Sequence, residues 1–257
     1  MTTKCTVEIP SPPFSGMGKK IESQVRKACY EYNILESSKI AIALSGGKDS
    51  LTLLFMLKAL SGRGFPPLDL LAIHISGQFS CGASIAENYL KEVCHRLEIP
   101  LVITESAQQN GPTGCYPCSR ERRRLLFTEA KKRGFDQIAF GHHRDDSIET
   151  LLLNLFHKGE FVAILPKLRM VAFEVTLLRP LIFVGEEMIR AFAEQNHFLR
   201  FMCQCPIGAT SNRRTVKDII ASLEADFPHV RRNLELAAIN YGSDKAARKF
   251  AEVETRV

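Results

Sequence analysis

Up to about residue 158, short apolar runs alternate with amphipathic stretches along the chain. The apolar runs cover 39–44, 69–75, 101–104 and 137–140, and patterns of helical period follow at 49–61, 84–96, 118–133 and 145–157. An earlier helical pattern, 19–33, repeats Ile21, Val25 and Ala28. Strands apolar along their whole length are buried on both faces, and helices between them provide right-handed crossovers. The pattern therefore predicts an α/β fold around a parallel sheet. After residue 158 the rhythm changes. KLRMVAF and EVTLLRPL predict a β-ribbon, and 185–195, 212–225 and 228–241 predict helices. Residues 1–18, with Pro10, Pro12 and Pro13, predict an N-terminal arm. The expected division is this arm, a main domain over 19–200, and a C-terminal segment, 201–257, packed on the same domain.

The chain has 257 residues, 45% apolar and 24% charged, which is ordinary for a globular protein. No apolar stretch approaches the ~20 residues that span a bilayer, so no membrane role is expected. The first residues lack the apolar core of a signal peptide, and a cytoplasmic protein is expected. The net charge of +6 is compatible with a nucleic-acid partner without requiring one.

Chemistry concentrates in three places. The first is ALSGGKDSLTLLF, residues 43–55, where a strand runs through a glycine turn into a helix. Gly46 and Gly47 let the backbone turn tightly and approach an anion. The N–H groups at the helix start attract negative charge, Ser45 and Ser50 add hydroxyls, and Lys48 adds a point charge. Asp49 would repel phosphate directly, so it is expected to hold Mg²⁺ or to cap the helix. The spacing is not that of the Walker motif. A plain structural turn is the competing reading. The order S-G-G-x-D-S resembles the PP-loop of N-type ATP pyrophosphatases, which cleave ATP between its α and β phosphates and adenylate a substrate.

The second place is GCYPCSRERRRLLF, residues 114–127. Cys115 and Cys118 form a C-x-x-C that fits a redox dithiol, half of a zinc site, or ligands of an iron–sulfur cluster. The other pair, Cys203 and Cys205, is spaced C-x-C, which is unusual for zinc. Three thiolates, from 115, 118 and one of 203/205, would leave one iron of a 4Fe–4S cluster open to a sulfur species. Two unrelated cysteine pairs are the bland alternative. Cys29 and Cys94 fall within helical patterns and are expected to be buried thiols. Arg120, Arg122, Arg123 and Arg124 could attract RNA or form a solvated basic face. The pairs Arg213–Arg214 and Arg231–Arg232 could extend the patch.

The third place is FGHHRDDSIETLLLNLF, residues 140–156, again a strand running into a helix. Ligands of open parallel sheets bind beyond the carboxyl ends of strands, so this turn and the SGGKDS turn can face one site. Asp145 and Asp146 could hold Mg²⁺, or one could cap the helix. Adjacent histidines point different ways, so one of His142 and His143 is expected to pack and the other to touch the ligand.

Together these segments resemble the tRNA 2-thiocytidine synthetase family of PP-loop ATP pyrophosphatases. The shared patterns are SGGKDS at 45–50, C-x-x-C-S-R-x-R-R at 115–123, GHHRDD at 141–146, ETLLLNLF at 149–156, PKL at 166–168 and RPL at 179–181. The resemblance implies a homodimer with one 4Fe–4S cluster per subunit. It implies adenylation of the C2 oxygen of cytidine 32 in the tRNA anticodon loop, then exchange of that oxygen for sulfur delivered from a cysteine desulfurase. It assigns Lys48, Asp49, Asp145, Cys115 and Cys118 to catalysis. ATP contacts fall to Ser45, Gly46, Gly47, Lys48, Asp49, Ser50, His74, Gly141 and His142. Mg²⁺ falls to Asp49 and Asp146, the cluster to Cys115, Cys118 and Cys205 with Cys203 as rival, and RNA to Arg120, Arg122, Arg123, Arg213 and Arg214. The alternatives are a PP-loop ligase or sulfurtransferase acting on another base or a small molecule, with zinc or a dithiol at the cysteines, and a nucleotide-gated binding module.

Overall fold

The computed structural model describes residues 9–77, 83–106, 115–198 and 212–242. The elements run α1 (Gly16–Glu31), β1 (Lys39–Ala43), α2 (Lys48–Leu60), β2 (Asp69–Ser76), α3 (Ala83–Arg96), β3 (Leu101–Glu105), α4 (Cys115–Lys132) and β4 (Gln137–Ala139). They continue through α5 (Arg144–Lys158), β5 (Lys167–Met170), β6 (Val175–Leu178), α6 (Glu186–Gln195), α7 (Asn212–Asp226) and α8 (Val230–Tyr241). Every expected strand and helix is present, with ends shifted by a few residues.

The six strands form one sheet in the order β3-β2-β1-β4-β6-β5. All neighbours pair in parallel except β5 with β6. The expected ribbon is therefore β5–β6, but it is no appendage: β6 pairs with β4 and completes the sheet. The chain moves outward from β1 to β3, then crosses back to β4 on the other side of β1. The topological switch point thus lies between β1 and β4, where a crevice opens at the strand ends.

Alternation along the strands divides the core. Ile40, Ile42, Leu70 and Ala72 face α1, α2, α3 and α6. Ala41, Leu71, Ile73, Ile75, Ile138 and Leu177 face α4 through Leu126, Phe127 and Ala130. α2 carries buried residues almost all round, including Leu51, Leu53, Leu54, Phe55, Met56 and Leu57, which fixes its N-terminus firmly at the crevice. Cys29 and Cys94 are buried core thiols, and burial pushes both up to about 12, as expected of inert cysteines.

The described parts of the arm and of the C-terminal segment both pack on the main domain. Helix α1 begins at Gly16, inside the expected arm, and Ile9 and Phe14 already pack on the core. Phe14 stands edge-on to Phe192 of α6 with ring centroids 6.0 Å apart. At the other end, α7 and α8 pack on α5 rather than on the sheet. Ile148 and Leu152 meet Val216 and Ile220, while Leu151 meets Ala163 and Ala238.

Candidate active site

A cavity of about 330 Å³ opens at the switch point. Its walls come from three segments: Ala43, Leu44, Ser45, Asp49 and Ser50 of the first turn; Phe140, Gly141, His142 and Asp146 of the second; and Arg122, Arg123 and Leu126 of α4. Ile73 and Ile75 of β2 add an apolar floor. The two turns and the arginine helix, far apart in sequence, therefore line one chamber.

The first turn holds its own shape. Gly46 sits at φ +88°, a left-handed conformation that glycine adopts without a Cβ clash. The Ser45 N–H donates to Ser50 Oγ at 3.2 Å, the Gly47 N–H donates to Ser45 Oγ at 3.3 Å, and Ser50 Oγ donates to the Gly47 carbonyl at 3.0 Å. No side chain caps α2, whose N-cap is Gly47. The positive end of the helix is thus open to an anion. The Lys48 ammonium lies 2.9 Å from Asp49 and 3.1 Å from Glu186, and this pairing raises its pKa against the opposing pull of burial.

The second turn is built differently. The His143 N–H donates to Asp146 Oδ2 at 3.1 Å, part of a capping box that closes the start of α5. Gly141 is required by packing: a Cβ there would stand 2.9 Å from the Asp49 carbonyl carbon and 3.0 Å from the Ser50 nitrogen. The two turns therefore touch backbone to backbone. Buried His143 turns Nε2 toward both Asp49 and Asp146, at 3.7 and 3.5 Å. His142 lines the cavity and stacks on Phe140 with centroids 5.5 Å apart. Burial and the nearby Arg179 push its pKa down to about 4, so the ring is neutral at neutral pH. Of the two adjacent histidines, His142 lines the cavity and His143 is buried behind it against the two aspartates.

Several expected site residues lie elsewhere. Asp145 does not line the cavity. It is 3% exposed, accepts the Glu186 N–H at 2.8 Å and pairs with Arg231, so it ties α5 to α6 and α8. His74 also misses the chamber. Its neighbours Ile73 and Ile75 face the cavity, so strand alternation turns it to the other side, where Nδ1 meets the Leu44 carbonyl at 2.7 Å. Arg213 reaches Asp146 at 3.1 Å and Glu149 at 3.4 Å. Arg120 and Arg214 are exposed and outside the cavity wall. Arg122 donates to the Ile75 carbonyl at 2.7 Å, which pins α4 against the end of β2.

The residues missed in the sequence form the supporting charge network. Glu186 links Lys48 to Lys217, 2.9 Å from its other oxygen. Burial would raise the Glu186 carboxyl, but Lys217 and Lys48 hold it down at about 2. Lys217 lies 3.5 Å from Glu149, which is itself 3% exposed. Their only sequence signal is charge within helices that otherwise pack on the core. Arg179, in the RPL motif, is buried against the Leu165 carbonyl, and burial and Arg123 lower its pKa to about 10.

Asp49 and Asp146 fit Mg²⁺: both are oxygen donors lining the cavity, one from each turn, and both approach His143 Nε2. For the cluster, positions 115 and 118 share one turn at the start of α4, and Cys118 is half-buried one further turn before Arg122. The side chain of Cys115, and Cys203 and Cys205 altogether, lie outside the described residues, among which no group of three metal-ligating side chains occurs. The cysteine helix and the phosphate turn thus border the same chamber.

Comparison with known proteins agrees with this geometry. Residues 17–203 match a family model described as a PP-loop domain. A tRNA-cytidine(32) 2-sulfurtransferase of Geobacter sulfurreducens is 37% identical over 224 residues, covering 84% of this chain and 87% of the relative. One of Anaeromyxobacter sp. is 35% identical, covering 84% and 77%. Among solved structures, the U34-tRNA thiolase of Methanococcus maripaludis with its 4Fe–4S cluster superposes with a TM-score of 0.69 at 22% identity, covering 89% of this chain and 82% of that one, and so shares the fold. The chain belongs to the PP-loop domain family and, within it, to the proteins named tRNA-cytidine(32) 2-sulfurtransferase.

Proposed function

We propose that this protein is an ATP-dependent tRNA sulfurtransferase that replaces the C2 oxygen of a cytidine in the anticodon loop with sulfur. The observation that carries the reading is the shared chamber: an uncapped helix start on one wall and the cysteine-bearing, arginine-rich helix on another. A pyrimidine C2 oxygen leaves poorly. Its attack on the α-phosphorus of ATP breaks the α–β bond, releases pyrophosphate, and makes the oxygen part of AMP. Hydrosulfide then adds at C2, AMP departs, and a proton is lost.

The α2 amides, Ser45 and Lys48 receive the phosphates and stabilise the charge that accumulates as pyrophosphate leaves. Neutral His142 and the apolar residues Ile73, Ile75 and Leu126 shape a pocket for a planar base. Arg122 and Arg123 attract the RNA backbone, and a loop nucleotide can be splayed into the pocket at low unstacking cost. Mg²⁺ at Asp49 and Asp146 would neutralise phosphate charge, and a 4Fe–4S cluster on Cys115, Cys118 and Cys205 would supply an open iron for sulfur. Asp145 and His74 serve as structural ties. A sulfur donor fed by a cysteine desulfurase, a homodimer and a cytoplasmic site complete the proposal. Among the described residues no helix is long and apolar enough to cross a membrane.

The test is nucleoside mass spectrometry of bulk tRNA from cells with and without the gene. Loss of 2-thiocytidine on deletion, restored by the native protein but not by Cys118→Ser, is expected. Unchanged 2-thiocytidine on deletion contradicts the reading. A colourless, zinc-containing protein after anaerobic purification contradicts the cluster.

A further inference from the structure

The side chains that border the phosphate turn form a closed ring of ion pairs and close polar contacts. Asp49 pairs with Lys48 at 2.9 Å, Lys48 with Glu186 at 3.1 Å, and Glu186 with Lys217 at 2.9 Å. Lys217 then meets Glu149 at 3.5 Å, Glu149 meets Arg213 at 3.4 Å, and Arg213 meets Asp146 at 3.1 Å. His143 closes the ring between Asp146 and Asp49.

The ring has an internal logic. Each carboxylate proposed to hold the cation, Asp49 and Asp146, is occupied by a basic side chain. Each of those side chains has a second carboxylate within reach: Glu186 for Lys48 and Glu149 for Arg213. A divalent cation must displace Lys48 and Arg213 from Asp49 and Asp146. A displaced charge left half-buried without a partner is costly. Lys48 is 28% exposed, so water alone compensates it poorly; Arg213 is 44% exposed, and its second partner Glu149 is 3% exposed.

We propose that Glu186 and Glu149 are positioning residues that hold Lys48 and Arg213 in reserve, so that Asp49 and Asp146 can be ceded to a divalent cation when nucleotide enters. Lys217 bridges the two reserve carboxylates and competes with Lys48 for Glu186 and with Arg213 for Glu149. Arg213 stands at the second position of α7, eight residues after Cys205 in sequence. The same exchange therefore ties the nucleotide turn to the helix that follows the cysteine pair. The inference rests on the reading of Asp49 and Asp146 as cation ligands.

The test is equilibrium binding of Mn²⁺, followed by electron paramagnetic resonance, to the full chain with the non-hydrolysable analogue AMPCPP. Glu186→Gln is expected to weaken Mn²⁺ binding about tenfold, the scale of one charge-assisted hydrogen bond. Glu186→Asp is expected to recover most of the loss. Metal-free binding of AMPCPP by Glu186→Gln is expected to be no weaker than native, because its loss frees Lys48 for phosphate. Lys217→Met is expected to bind Mn²⁺ at least as well as native, since Glu186 then holds Lys48 alone. A structural defect would move all of these downward together, and melting temperatures identify it. Native Mn²⁺ affinity in Glu186→Gln, or weakening in Lys217→Met alone, overturns the proposal while leaving the cation reading intact. Failure of the native protein to bind Mn²⁺ with AMPCPP overturns both.

Discussion

The two turns that meet at the switch point have the same topology and opposite chemistry. Both follow a parallel strand and start a helix, and they touch through Gly141 and the backbone of Asp49 and Ser50. The turn before α2 leaves its helix uncapped and its hydroxyls bonded inward. The turn before α5 closes its helix with His143 and Asp146, and its acidic side chains are engaged in ion pairs. One turn is arranged to receive an anion; the other supplies carboxylate and rigidity. The difference lies in the helix ends: only an end without a partner from its own chain leaves its N–H groups for an anion.

Breaking the comparison at its functional ends gives the largest effects. Cys118→Ser removes a proposed cluster ligand and should abolish 2-thiocytidine in tRNA while AMPCPP still binds, which mass spectrometry and calorimetry can check together. Lys48→Met removes the cation from the receiving turn. It should lower tRNA-dependent pyrophosphate release by about 10²–10³-fold, the usual cost of losing one group that stabilises developing charge. A loss confined to the Michaelis constant would assign Lys48 to ground-state binding instead.

Breaking it at the structural ends should cost stability rather than chemistry. Gly141→Ala forces a Cβ against backbone that cannot yield, so the turns must separate at a cost of about 1–3 kcal/mol. Asp145→Asn keeps an acceptor for the Glu186 N–H but removes the charge facing Arg231, with an expected loss of about 2 kcal/mol. Denaturant unfolding measures both, and AMPCPP affinity per folded Asp145→Asn molecule should be native.

The last effect is the dependence on acid. His142 is held near 4 against its usual 6.5, so between these values the unfolded chain binds more protons. Stability should fall as pH drops through that window and stop falling from this source below it. Glu186, held at about 2 against 4.5, adds a second loss as pH drops from 4.5 toward 2. Unfolding midpoints across pH should show the upper window shrink in His142→Gln and the lower one shrink in Glu186→Gln.

Much of this was legible in the sequence. Strand and helix positions follow from apolar periodicity, and the phosphate turn follows from two glycines placed between a strand and a helix. The joining of β6 to the sheet was not legible, because a four-residue apolar run pairs equally well in an isolated ribbon. Adjacent aspartates look alike in sequence, and packing alone separates them: of the two, Asp146 lines the cavity. The side of β2 on which His74 falls was equally hidden, because it depends on which face of the sheet the cavity opens. The network of Glu186, Lys217 and Glu149 was invisible, since its members come from three helices and meet only through packing of α5, α6 and α7.

Nucleotide and sulfur chemistry are proposed to share one chamber. A crystal structure of the anaerobically purified protein with AMPCPP and Mg²⁺ tests it most directly. The account predicts the triphosphate on the N-terminus of α2 between Gly46 and Ser50, with Cys118 opening onto the same chamber. Phosphates seated away from that turn, or a metal centre walled off from it by packed protein, would contradict the account.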